Sequence, residues 1–219
     1  MKKNNWDRFR NRHIETITLE ESLKLLDYFD RPYKTKREKV LNLRNKTMVL
    51  LMLDAGLRVG EVCKLLVTDL IYAGESVKAL CVRPDIAKNK SERIIPLSSR
   101  LQFEVKGMLN SVWYASEGVL GWHAFYNTDS CKHLTTRQVE RIVKKSALAS
   151  FGRPIHPHVL RHTFATRLMR TTNQRVVQDM LGHKNLSTTE VYTHPDQEDK
   201  AKAIKALEGE NNGNNREKS

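Results

Sequence analysis

The feature that most constrains this chain is a helix-start signature that recurs along it. A Ser or Thr stands three residues before a Glu or Gln at Thr18 and Glu21, at Thr135 and Gln138, and at Ser187 and Glu190. At that spacing the hydroxyl accepts from the backbone N–H three residues on, and the Glu or Gln reaches back to the N–H of the capping residue. Apolar residues follow at helical intervals, Leu23, Leu25, Leu26 and Phe29 after the first box, Val139, Ile142, Val143 and Leu148 after the second. Stop signals are as plain. Arg31-Pro32 ends the first helix, because the residue before a proline is pushed out of helical conformation. Gly56 and Gly182 cap the C-termini of helices predicted over 43–54 and 174–181. Ser98 opens a helix to about Val112, and further helices are predicted over 59–66, 157–169 and 197–207.

Two segments depart from this period. Val77 to Arg83 and Arg93 to Leu97 have β-type composition and flank the polar run Lys88-Asn89-Lys90-Ser91, which predicts a small antiparallel hairpin. Trp113 to His133 carries no readable pattern. The expected fold is therefore mainly α with one small antiparallel β-sheet, an α+β domain over 14–207. Residues 1–13 read as a flexible basic arm, and 208–219, rich in Gly and Asn, as a disordered tail.

Charge narrows the function. Lys and Arg number 38 against 25 Asp and Glu, a formal net charge of +13. An excess of that size points to a polyanionic partner, nucleic acid ahead of an acidic membrane surface. Cys63, Cys81 and Cys131 are an odd, scattered set that builds no disulfide framework, so they read as reduced thiols in a cytoplasmic protein. The basic N-terminus is followed by no apolar stretch suited to a signal peptide, and no run long enough to span a membrane occurs.

Four segments carry chemistry: Gly56-Leu57-Arg58-Val59-Gly60-Glu61, Lys88 to Leu97, His156 to Thr166 with His158 and Arg161, and Leu181-Gly182-His183 running on to Tyr192. Cleaving a phosphodiester puts extra negative charge on its non-bridging and departing oxygens, and fixed cations must meet it there. Guanidinium groups suit that role, since their planar fork matches two phosphate oxygens and stays charged. Glu61 follows Arg58 at helical spacing, and His158 precedes Arg161 at the same interval, so each pair shares a face. Imidazole relays protons near neutral pH, which makes His158 a candidate base.

In order and spacing these segments resemble the tyrosine recombinases of the phage integrase and Xer type, over roughly residues 14–207. The resemblance implies a tyrosine recombinase catalytic-domain fold. It implies Arg58 and Arg161 as phosphate clamps, Glu61 as a supporting residue, Lys88 as the acid that protonates the leaving 5′ oxygen, and His183 as a donor to phosphate. Tyr192, nine residues after His183, would be the nucleophile that forms a 3′-phosphotyrosyl bond without metal, nucleotide or other cofactor. Lys90, Arg93 and Lys184 are expected as further DNA contacts, Lys90 also competing with Lys88 for the acid's role. The partners implied are a double-stranded DNA site and further copies of the chain, a tetramer in the synapse, with the last helix passed to a neighbour. Most members of the family carry a separate helical domain ahead of the catalytic part, whereas here about forty residues precede the helix at Leu43.

Two other classes fit parts of the pattern. A metal hydrolase would use His158 and His162, four apart on one helix, but the zinc-protease glutamate between them is missing. A DNA-binding module without catalysis would explain the charge. A covalent protein–DNA adduct separates that module from a recombinase.

Overall fold

The computed structural model describes residues 15–88, 90–113, 121–128, 130–182 and 197–213. Helix α1 (Leu19–Asp30) starts at its predicted box: Thr18 Oγ1 accepts from the Glu21 N–H at 3.1 Å, and Glu21 Oε2 accepts from the Thr18 N–H at 2.9 Å. Helix α2 (Lys36–Leu53) begins at Lys36 and not at Leu43, because a further cap lies upstream. Thr35 Oγ1 accepts from the Glu38 N–H at 3.1 Å, while Glu38 Oε2 accepts from Lys34 N–H at 2.9 Å. A polar first half thus precedes a half in which Met48, Val49, Leu50, Leu51, Met52 and Leu53 are all buried. A helix apolar on every side belongs at the centre of a core, and α1, α5 (Ser99–Met108) and α7 (Pro157–Thr171) surround it. Each fully buried Leu or Met there contributes about 2 kcal/mol by leaving water.

After α2 come two short helices, α3 (Val59–Lys64) and α4 (Val67–Leu70), the second absent from the sequence expectation. Strands β1 (Ile71–Tyr72) and β2 (Glu75–Ser76) then pair across Ala73 and Gly74, both at positive φ. This makes a second small sheet where one was expected. The predicted hairpin is present as β3 (Ala79–Val82) and β4 (Arg93–Pro96), antiparallel, with Leu80 opposite Ile95 and Val82 opposite Arg93. Alternation along the strands puts Leu80, Val82, Arg93 and Ile95 on the buried face.

Helix α5 stops at Met108 and continues as a π-helical turn over Leu109–Trp113, where an α-helix to about Val112 was expected. Trp113, buried, donates its indole N–H to Ala124 O at 3.0 Å. The stretch around Ala124 is fixed by backbone bonds from Ala124 to Leu65 O (2.7 Å) and from Val67 to Trp122 O (3.0 Å). Helix α6 (Thr136–Phe151) opens at its predicted capping box, and Pro157 sits in the first turn of α7, where its missing N–H costs nothing. Helix α8 (Gln174–Leu181) ends at Gly182, whose φ is 63°. Helix α9 (Gln197–Gly213) runs past Leu207, so residues 208–213, expected as tail, are helical. It rests on its own chain: Lys200 Nζ meets Asp179 Oδ2 at 2.5 Å, and Glu208 accepts from the Ser99 N–H. No helix among the described residues is long and apolar enough to cross a membrane.

Candidate active site

The site is built around the turn between α2 and α3. Gly56 has φ 61°, and a Cβ there would lie 2.4 Å from Phe164 Cδ1 of α7, so both the backbone and the space demand glycine. This close approach lets Arg161, also on α7, donate to the Gly56 carbonyl through Nη1 and to Leu181 O through Nη2 at 2.7 Å. Arg161 thereby ties three elements, the α2–α3 turn, α7 and the end of α8. It is only 7% exposed. Burial first, then the Arg58 charge, pushes its pKa down to about 9, with Glu61 pulling the other way. It remains cationic at neutral pH.

Arg58 is the N-cap residue of α3, in extended conformation, and does not lie within the helix as its spacing from Glu61 implied. Glu61 turns back on it. Oε2 accepts from the Arg58 backbone N–H at 2.8 Å and Oε1 meets Arg58 Nη1 at 3.0 Å. Arg93 of β4 grips the same carboxylate, Nη1 to Oε1 at 3.1 Å and Nη2 to Oε2 at 2.6 Å, while its Nε donates to Met180 O at 3.0 Å. Burial raises the Glu61 pKa, but Arg93 and then Arg58 outweigh it and hold the carboxyl below its ordinary value. Glu61 is therefore an anion at neutral pH.

Among the described residues, then, three guanidiniums, Arg58, Arg93 and Arg161, surround one carboxylate. The Arg58 side chain keeps 19% exposure against 2% for Glu61, so Arg58 is the member that faces solvent. The cluster has an excess of positive charge beside its opening, an arrangement suited to an incoming anion.

Of the expected site residues, Arg58 and Glu61 are paired, and Arg161 lies near enough for both their charges to act on it. His158 stands exposed one turn before Arg161 on α7, and His162 one turn further on is held below its ordinary pKa by burial, His158 and Arg161. Lys88 and Lys90 are exposed in the β3–β4 connection, Lys90 at φ 50°. Arg93, expected as a DNA contact, is 5% exposed, and all three of its guanidinium nitrogens are engaged by Glu61 and Met180 O. Its signal in the sequence was strand parity, since Arg93 and Ile95 share a face. His183, Lys184 and Tyr192 lie outside the described residues. Among the described residues no group of three or more His, Cys, Asp or Glu side chains could hold a metal ion.

Comparison with known proteins gives the family. Residues 15–199 match the phage integrase family model. A tyrosine recombinase of Pseudothermotoga lettingae is 40% identical over 168 residues, which cover 76% of this chain and 54% of the relative. The chain spans about half the length of the curated relatives it matches. In fold it resembles XerH site-specific recombinase in the structure bound to its difH substrate, with TM-score 0.60 and 24% identity over 84% of this chain and 51% of that one. It also resembles the lambda integrase catalytic core, with TM-score 0.53 and 22% identity over 78% of this chain and 96% of that one. The chain belongs to the phage integrase family.

Proposed function

We propose that this chain is the catalytic part of a site-specific DNA recombinase that cleaves and rejoins strands through a 3′-phosphotyrosyl bond at Tyr192. The observation that carries the reading is the surplus of buried guanidinium charge around Glu61, open to solvent at Arg58. A scissile phosphate would complete it. Arg58 and Arg161 would hold the non-bridging oxygens as charge builds on them in the transition state. A phenol has a pKa of about 10 and attacks poorly unless positive charge or a base assists it. In this reading Tyr192 Oη attacks phosphorus as His158 takes its proton. The bond from phosphorus to the 5′ oxygen breaks, and Lys88 gives that oxygen a proton. His183 donates to a phosphate oxygen. A free 5′-hydroxyl from another strand reverses the step. One phosphodiester is exchanged for another, so the reaction consumes no nucleotide, and the side chains supply the charge without a metal.

Membership of the family and the likeness to a recombinase solved on its DNA substrate support double-stranded DNA as the partner. The charge excess of the chain supports it independently. Copies of the chain would assemble on two sites, a tetramer in the synapse, although α9 rests on its own chain here.

The test uses a randomised pool of nicked duplexes, from which a break releases a short strand and traps the covalent product. Wild-type protein should form an adduct resistant to denaturant, and sequencing the attached strands reports the site. Tyr192→Phe should form none while binding the recovered duplex as tightly as wild type. An adduct with the Phe variant means another nucleophile, and binding without adduct by the wild type favours a DNA-binding module.

A further inference from the structure

We propose that Arg93 is a positioning residue for the phosphate-binding arginines, holding Glu61 so that Arg58 stays turned toward the opening of the site. The proposal rests on the recombinase reading above. Its grounds are geometric. Arg93 makes a two-toothed pair with Glu61, at 3.1 and 2.6 Å, from a strand 32 residues away in sequence. Arg58 makes one side-chain contact with the same carboxylate. The stronger grip therefore belongs to the residue that reaches no ligand. With both carboxylate oxygens occupied from the β4 side, Arg58 spends one nitrogen on Glu61, and among the described residues the rest of its fork makes no other bond.

The third arm of Arg93 extends the effect. Its Nε holds Met180 O at the end of α8, and its Cδ would lie 3.2 Å from a Cβ on Gly182. In sequence Gly182 is followed by His183, with Tyr192 nine residues after that. One buried guanidinium thus joins the element that carries Arg58 to the start of the segment that carries the nucleophile. A buried carboxylate left with Arg58 alone would draw that guanidinium inward, because an unbalanced buried charge takes whatever partner is in reach. The phosphate clamp would be misplaced by about an ångström, a displacement that typically costs about 10²-fold in rate.

Cleavage and binding are measured on duplexes recovered from the randomised pool. Arg93→Met should slow adduct formation by about 10²-fold while leaving duplex affinity unchanged. Arg93→Lys keeps the charge, but its single ammonium cannot span both oxygens and Met180 O, so it should fall between wild type and Arg93→Met. Adding Glu61→Gln to Arg93→Met should cost no further rate, since the groups act as one unit. A structural role alone gives a different pattern. The loss would track the melted fraction, and the double variant would be slower by the product of the two single losses. That pattern overturns the proposal.

A second readout needs no chemistry. In ¹⁵N spectra of the arginine side chains, Arg93→Met (or Arg93→Lys, should the Met variant not fold) should shift the Arg58 Nε–H resonance and weaken its response to added sulfate. An unmoved Arg58 resonance overturns the proposal even if cleavage falls. Absence of adduct from wild-type protein would sink the recombinase reading instead, with the Arg58 resonance still deciding the role of Arg93.

Discussion

Two buried carboxylates flank Gly56 in sequence, and their surroundings differ in charge. Asp54, just before the turn, accepts from Arg100 at 2.6 Å on each oxygen and from Ser98 Oγ at 2.8 Å. One guanidinium meets one carboxylate, the hydroxyl fills a remaining lone pair, and Glu208 adds a further negative charge near Arg100, so this cluster has no surplus of positive charge. Glu61, just after the turn, is bound by Arg93 and Arg58 with Arg161 close behind. The first is a closed joint between α2 and α5. In the second the balance is deliberately incomplete, and the unsatisfied charge has a side chain that reaches solvent. Equally buried ion pairs can therefore serve opposite ends, and counting charges tells them apart where counting hydrogen bonds does not.

The largest test of this contrast is catalytic. Arg161→Ala removes a fixed cation from the open cluster and should lower adduct formation by about 10³-fold, the upper range for losing one preorganised donor. Arg100→Ala should leave the rate per folded molecule unchanged. Instead it should destabilise the fold by about 2–3 kcal/mol, because Asp54 stays buried without its counter-charge. Denaturant melts read against adduct yields separate the two losses. Equal catalytic loss from both variants would dissolve the distinction.

The helical frame was legible because its signals are local. Thr18, Thr135 and Gly182 each act on residues within one turn, so a linear reading finds them, and Thr35 with Glu38 carried the same signal unread. The pair Arg58 and Glu61 was legible for the same reason. Arg93 was not, since its partner Glu61 lies 32 residues away on another element, and strand parity puts Arg93 on the buried face without naming what it meets there. The β1–β2 turn escaped because Ala73 occupies a positive-φ position where Asn, Asp or Gly is the usual signal. Trp122 and Ala124, within the stretch that carries no readable pattern, are placed by long-range backbone bonds to 65–67, which no local period announces. His183 and Tyr192 rest on sequence pattern and family membership.

A smaller effect sharpens the comparison without DNA. If the open cluster lacks an anion, a doubly charged one should stabilise the fold. Sulfate at about ten times its dissociation constant contributes about 1.4 kcal/mol, a rise of roughly 3–5 °C in melting temperature for a chain of this size. Sulfate also stabilises proteins generally through exclusion from their surface, so the informative quantity is the difference between variants. Arg161→Ala should lose the saturable part of the rise and keep the linear part. Arg100→Ala should keep both. A saturable rise that survives Arg161→Ala would put the anion elsewhere.

The smallest effect concerns acid. Glu61 has a folded pKa below its ordinary value of 4.5, through Arg93 and Arg58 acting against burial. In the window beneath that value the unfolded chain binds the proton first, so stability rises with pH across it. The contribution of Glu61 is thus present in full above its ordinary value and lost as the pH falls through the folded one. Glu61→Gln cannot titrate. At pH 7 the variant should be less stable than wild type, since three guanidiniums then crowd together without an anion. As the pH falls below 4.5 the wild type should lose stability faster than the variant, and the gap between their melting temperatures should narrow. Sulfate added at pH 7 should narrow the same gap, by supplying from solution part of the charge the variant has lost. A gap that stays constant from pH 7 into acid would mean that Glu61 is held by packing and not by the arginines. The open cluster would then owe its form to shape, and its excess charge would have no bearing on stability.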